Sequence, residues 1–240
     1  MTRTREEHAL LATPRRDVTV VIVLAVATAA LFVLMAMSGP RARIGAWDRA
    51  FLRTMLSVRA SYLTDVAKGF NFLGLTVVTL PIRLVIAGFL AFRRRWWHFA
   101  AFVSAIIVSE VFIGTLKGLY DRVRPPGSLV ATSGASFPSG HAVAASVTAV
   151  AAVIALFPEG RNRYAWGVAA AAFSGLMALS RAYLAAHWLS DAIAGVLLGT
   201  SCALVMALVV HFIRVRVEGP DGPEARAARA EVRAPPQTVP

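Results

Sequence analysis

Apolar residues in this chain run in long blocks rather than in alternation. Val18 to Met37 is twenty residues without a charge. At 1.5 Å per residue, a helix of that length spans a hydrocarbon core of roughly 30 Å. The block is too long for a signal-peptide core. Ala192 to Val210 is a second clean block. Four less tidy ones lie between them. Phe70 to Phe92 is interrupted by Pro81 and Arg83, and Trp96 to about Leu119 carries Glu110 and Lys117. Ala142 to Phe157 is rich in Ala and Val, and Tyr164 to Leu179 resembles it. No segment carries strand signals, and backbone groups in lipid must be satisfied within their own segment, which helices achieve. The pattern therefore predicts an all-α polytopic membrane protein, a bundle of six transmembrane helices.

The flanks read differently. Residues 1–17 are a polar, basic lead, and residues 18–213 are expected to form one six-span domain. Residues 214–240 are rich in Pro, Ala and charge, so a disordered tail is expected. In residues 39–69, Ile44, Trp47, Phe51, Leu52, Met55 and Leu56 recur at helical spacing, with Arg49, Arg53 and Arg59 between them. That pattern suits an amphipathic helix in the headgroup plane, or equally a connecting helix packed on the bundle.

Composition supports a membrane class. Of 240 residues, 57% are hydrophobic and only 16% charged, and mean hydropathy is +0.63. A net charge of +12 would raise the question of nucleic acid in a soluble protein, but its placement answers otherwise. Arg3, Arg5, Arg15 and Arg16 precede the first span, Arg93 to Arg95 follow the second, Arg161 and Arg163 follow the fourth, and Arg214 and Arg216 follow the sixth. These are alternate ends, and short basic loops stay cytoplasmic. A multi-pass protein of the cell membrane is expected, with both termini in the cytoplasm and the polar site on the outer face. The basic 39–69 segment, on the expected outer side, runs against a tidy reading. Cys202 is the sole cysteine, so no disulfide or thiolate metal site can form within one chain.

Polar outliers gather at the opposite, outer ends of the spans. Lys117 ends the third span, and the following loop holds Arg122 and Arg124. Ser139, Gly140 and His141 open the fourth span, Ser180 and Arg181 close the fifth, and His187 and Asp191 open the sixth. Lys117, Arg124 and Arg181 supply cations. A helix starting after Pro138 presents backbone N–H groups at Ser139, Gly140 and His141. Together these suit a phosphoryl group, because arginine's fork matches phosphate oxygens and lysine acts as a point charge. His187 and Asp191 are four residues apart, so on a helix they share a face. A carboxylate on one ring nitrogen would fix the tautomer and leave the other nitrogen as a nucleophile. His141 suits general acid work. No carboxylate cluster is visible to hold Mg²⁺, so no metal or cofactor is expected. The expected partners are a membrane lipid phosphate and the bilayer, not nucleic acid.

These residues carry a resemblance. KGLYDRVRP (Lys117 to Pro125) matches K-x6-R-P, PSGH (Pro138 to His141) matches P-S-G-H, and SRAYLAAHWLSD (Ser180 to Asp191) matches S-R-x5-H-x3-D. In this order and without a substitution, the three motifs resemble those of the type 2 phosphatidic acid phosphatase superfamily. The resemblance implies that His187 attacks phosphorus, Asp191 orients it, and His141 protonates the leaving oxygen and later activates water. It implies that Lys117, Arg124, Ser139, Gly140 and Arg181 hold the phosphate oxygens, without metal. Undecaprenyl diphosphate, phosphatidylglycerol phosphate and phosphatidic acid are all compatible substrates, with a lean toward the first. A lipid phosphotransferase, in which an alcohol intercepts the phosphohistidine, uses the same residues. A vanadium-dependent haloperoxidase fits six spans poorly. A transporter has no need of the His187–Asp191 pair and His141.

Other polar residues receive plainer readings. His8, His98 and His211 are expected to be solvated or interfacial. Arg122 and Asp121 occupy variable motif positions, where a local salt bridge or a headgroup contact is as reasonable as catalysis. Tyr183 and Trp188 are expected as interface anchors. Glu110 is an acid within a span, so it is expected either to pair with Arg83 or to serve substrate or proton.

Overall fold

The structure is a computed structural model that describes residue 10, residues 14–158 and residues 160–219. Among the described residues eight helices follow one another: α1 (Pro14–Ala36), α2 (Ser38–Ser57), α3 (Ser61–Leu73), α4 (Thr76–Phe92), α5 (Trp96–Tyr120), α6 (Gly140–Leu156), α7 (Arg161–Tyr183) and α8 (Leu189–Glu218). There is no strand among the described residues. The expectations for residues 1–9 and 220–240, His8 included, lie outside the described residues.

Three helices are long and apolar enough to cross a membrane: Val18–Ala36, Trp96–Tyr120 and Leu189–Glu218. The pair α3 and α4 would add a fourth if it acts as one bent span. The helix at Gly140–Leu156 is apolar but has only 17 residues, and α7 carries Arg161, Arg163 and Arg181 within its length. Six apolar blocks thus fold as helices, while length and composition mark three or four of them as spans. Large apolar side chains on α1 and α4 face outward, with Val23 59% and Val85 71% exposed, as surfaces clothed in lipid do.

The block Phe70 to Phe92 is not the continuous helix expected. It breaks at Gly74 and Leu75 into α3 and α4, which meet at a bend of 50°. Pro81 lies inside α4 without ending it. The Gly74 N–H caps α3 by donating to the Phe70 and Asn71 carbonyls. The 39–69 segment likewise divides between α2 and α3. Both pack on the bundle, α2 against α7 and α8 and α3 against α7, which favours the connecting-helix reading.

α8 is the axis, packed against α1, α2, α5, α6 and α7. Small residues let α6 approach it closely. A Cβ on Gly195 would lie 2.7 Å from the Ser139 carbonyl oxygen and 2.8 Å from the Ala142 Cβ. A Cβ on Gly199 would lie 2.6 Å from the Val143 carbonyl oxygen. The core continues through Val143, Val147, Phe102, Leu198 and Cys202, and Thr28 of α1 meets Ser201 of α8 at 2.9 Å. At the far end, Trp97 and Arg214 both donate to Glu218 Oε1. His98 and His211 are buried there rather than solvated, at the end where α5 begins and α8 closes, two helices packed against each other.

Candidate active site

The C-terminal ends of α5 and α7 and the N-terminal ends of α6 and α8 meet at one end of the bundle. The close α6–α8 packing fixes this junction, where the Ser139 amide donates to the Asp191 carbonyl at 3.0 Å. That amide is therefore not the free anion donor expected. The amides of Gly140 and His141 open α6 and have no acceptor within the helix.

His187 precedes α8 and is 3% exposed. Its Nδ1 lies 2.7 Å from the Ser136 carbonyl oxygen, and its Nε2 lies 3.1 Å from Arg124 Nη1. A carbonyl only accepts and a guanidinium only donates. Nδ1 therefore carries the proton and Nε2 presents a lone pair beside a cation.

The expected direct hydrogen bond from His187 to Asp191 is absent. Asp191 Oδ2 stands 3.8 Å from Nδ1, because its oxygens serve other donors. Oδ2 accepts from the Ser136 hydroxyl at 2.5 Å and from the Trp188 amide at 2.9 Å, and Oδ1 accepts from Arg122 at 2.5 Å. Asp191 thus caps α8 while its charge stays beside the ring. Burial pushes His187 below the usual histidine range, Asp191 opposes that shift, and Arg181 and Arg124 add to it.

Arg124 is wrapped by its own loop. Its guanidinium donates to the carbonyls of Ser133, Gly134, Ala135 and Ala186, which aims Nη1 at His187. Arg181, 2% exposed, hydrogen-bonds the Asn71 side-chain oxygen from one nitrogen. Lys117 lies within electrostatic reach of Arg124 and Arg181, and His141 within reach of Arg181, His187 and Lys117. All eight expected site residues therefore gather at one place.

Three buried polar atoms in this group have no hydrogen-bond partner: Ser139 Oγ, His141 Nε2 and Arg181 Nε. Buried polar groups are nearly always paired. Three orphans from two separate sequence stretches, beside a histidine lone pair and three cations, describe a cradle that suits an anion rich in acceptor oxygens.

Arg122 takes the salt-bridge role the sequence offered, though with partners distant in the chain, while Asp48, Ser136, Asn71 and Gly74 escaped the sequence reading. Arg122 links Asp191 to Asp48 of α2, its Nη2 lying 2.6 Å from Asp48 Oδ2. Asp48 also accepts from the Ser190 amide and hydroxyl. Ser136, Asn71 and Gly74 complete the surroundings. The only sequence signal for Asp48 was an acid on an otherwise basic amphipathic helix. Tyr183 is buried, not an interface anchor. Its hydroxyl ties α7 to the start of α3 through Ala60 and Thr64. Trp188 donates to the Val123 carbonyl and lies under the Arg122 guanidinium at 5.6 Å.

Comparison with known proteins places the fold and the family. A family model described as the PAP2 superfamily matches residues 96–214. Phosphatidylglycerophosphatase B of Bacillus subtilis (strain 168) is 29% identical over 159 residues, covering 63% of this chain and 77% of that protein. A transmembrane PAP2-type phosphatidylglycerolphosphate phosphatase from Bacillus subtilis, known by crystal structure, superposes with a TM-score of 0.68 at 23% identity. That match covers 82% of this chain and 96% of the other. Aquifex aeolicus LpxE gives a TM-score of 0.54 at 23% identity, over 65% of this chain and 91% of its own. The two structures speak for the fold alone. The family match runs from α5 into α8, whereas Asp48, Asn71 and Gly74 lie outside it.

Proposed function

Because this chain belongs to the PAP2 superfamily, we propose that it is an integral membrane phosphatase that hydrolyses a lipid phosphate through a phosphohistidine. The observation that carries the reading is the set of orphaned donors, Ser139 Oγ, His141 Nε2 and Arg181 Nε, around the His187 lone pair.

The reaction follows from those positions. Lys117, Arg124, Arg181, Ser139 and the Gly140 and His141 amides hold the phosphoryl oxygens and offset their charge. His187 Nε2 attacks phosphorus, and the bond from phosphorus to the lipid oxygen breaks. The leaving oxygen takes a proton from His141, and the lipid departs as an alcohol, or as a monophosphate if the substrate is a diphosphate. Water then attacks the phosphohistidine, His141 takes its proton, the P–N bond breaks, and inorganic phosphate leaves. The Ser136 carbonyl holds the Nδ1 proton throughout. Asp191, 3.8 Å away, stabilises the positive ring during transfer. No step calls on a metal ion.

We further propose that the basic loops and helix ends face the cytoplasm, which puts the cradle and the reaction on the outer face of the cell membrane. Phosphatidylglycerol phosphate, phosphatidic acid and undecaprenyl diphosphate all present a suitable group, and the name of the Bacillus subtilis relative adds weight to the first. The test is phosphate release by purified protein in detergent with EDTA, offered these three lipids in parallel. Release that disappears in His187→Ala supports the reading. A folded protein that releases phosphate from none of them overturns it.

A further inference from the structure

A cavity of about 520 Å³ lies between α4, α5 and α6. Gly140 and His141 are among the residues that line it, so it borders the cradle. Its walls are mostly apolar, with Leu80, Leu84, Phe102 and Ile106 among them, yet Arg83 and Glu110 also line it. Arg83 Nη1 meets Glu110 Oε1 at 2.8 Å, and Arg83 Nε donates to Thr148 Oγ1 at 2.9 Å.

The pair sits at a defined depth. Glu110 precedes Lys117 by seven residues on α5, and Thr148 follows His141 by seven residues on α6. Two helices therefore independently place Arg83 about 10 Å along the axis from the cradle. An ion pair at that depth in an apolar crevice is costly unless it serves a purpose. The pair is also incomplete. Arg83 Nη2 is buried with no partner, while the Glu110 side chain is 51% exposed and holds the guanidinium through one oxygen. Glu110 is the displaceable partner of a guanidinium with a donor to spare.

We infer that Arg83 is a specificity-determining residue, which binds a second acidic group of the lipid about 10 Å inward from the phosphate being removed, in competition with Glu110. This rests on the lipid-phosphatase reading above. A glycerophospholipid that carries a phosphodiester one glycerol unit from its terminal phosphate places a bidentate acceptor near that depth. A polyprenyl diphosphate keeps both phosphates in the cradle and lays bare hydrocarbon against Arg83 and Glu110. The pair thus favours the first kind of lipid over the second.

The test is steady-state kinetics in mixed micelles on phosphatidylglycerol phosphate and on undecaprenyl diphosphate. Arg83→Gln is expected to raise KM for phosphatidylglycerol phosphate about tenfold, the effect of losing one charge-assisted contact. Its kcat on that lipid and both constants for undecaprenyl diphosphate stay unchanged, and Arg83→Lys restores part of the loss. Glu110→Gln removes the competing carboxylate and lowers KM for phosphatidylglycerol phosphate alone, a gain that a purely structural pair would not give. Equal changes on both lipids, or an unchanged ratio between them, overturn the inference. Should Arg83→Gln fail to fold, Glu110→Gln at its half-exposed position decides by the same ratio. Wild-type protein inactive on both lipids, with phosphatidic acid also inert, sinks the phosphatase reading instead.

Discussion

Gly74 and His141 are in direct contact across the α3–α4 bend: a Cβ on Gly74 would lie 2.5 Å from the His141 Cδ2. The backbone at Gly74 is ordinary right-handed helix, so alanine is refused for space and not for conformation. Gly74→Ala is expected to displace the ring and lower kcat on the order of 100-fold, as small misplacements of catalytic groups do. The protein should remain folded and should still bind vanadate. Activity within twofold of wild type would show that the ring shifts without cost.

Arg122 is the pin between α2 and the Asp191 carboxylate. It donates to Asp48 and Asp191, both nearly fully buried. Removing it leaves two uncompensated carboxylates, a loss of about 3–5 kcal/mol for a broken buried pair. Arg122→Gln should lower the thermal unfolding temperature in detergent markedly. Asp48→Asn, which keeps the shape and some hydrogen bonds, should lower it less.

The His187 ring should titrate below pH 6.5 in the ligand-free enzyme, because burial disfavours its charged form. Its folded pKa lies below its unfolded one, so the neutral ring persists into mildly acidic solution. The associated stability is present above about pH 6.5 and is lost as the pH falls toward the folded value. Asp191 pulls the other way, so Asp191→Asn should move the ring pKa further down and reduce kcat on the order of 1000-fold. NMR titration of the labelled ring checks both signs, and a ring pKa above 6.5 would contradict them.

Gly199 lets α8 lie against α6. A side chain there would collide with Ser146 and with the Val143 carbonyl. Gly199→Val is expected to destabilise the bundle by more than the usual 1–3 kcal/mol of overpacking, since a backbone oxygen cannot rotate aside. Its activity should fall too, because α6 and α8 carry Ser139, His141 and Asp191 on one junction. Thermal unfolding in detergent measures the first effect and phosphate release the second.

The apolar blocks were visible in the sequence because lipid demands long runs of apolar helix, and that demand is local. The motif residues were visible for a related reason: charged and titratable groups at block ends stand out against such a background. Lys117, Arg124, His141, Arg181, His187 and Asp191 were all found in this way. The break at Gly74 was not, since a glycine in an apolar run signals nothing until the ring it accommodates is known. Neither was the role of Ser136, whose carbonyl, a group every residue carries, accepts the Nδ1–H hydrogen bond expected to go to Asp191.

What the sequence alone determined is therefore the class: an all-helical chain built for a bilayer, with phosphoryl chemistry gathered at one end. Helix periodicity, hydropathy and motif spacing are properties of neighbouring residues, and they are legible without a fold. The tertiary structure alone decided how Asp191 is used, divided between the α8 cap, Ser136 and the Arg122–Asp48 link. It also decided that Asn71 and Gly74 belong to the site, and that the Arg83–Glu110 pair expected from the sequence lines a cavity shared with His141. Each of these joins residues tens of positions apart, and only the packing of one helix on another sets such distances.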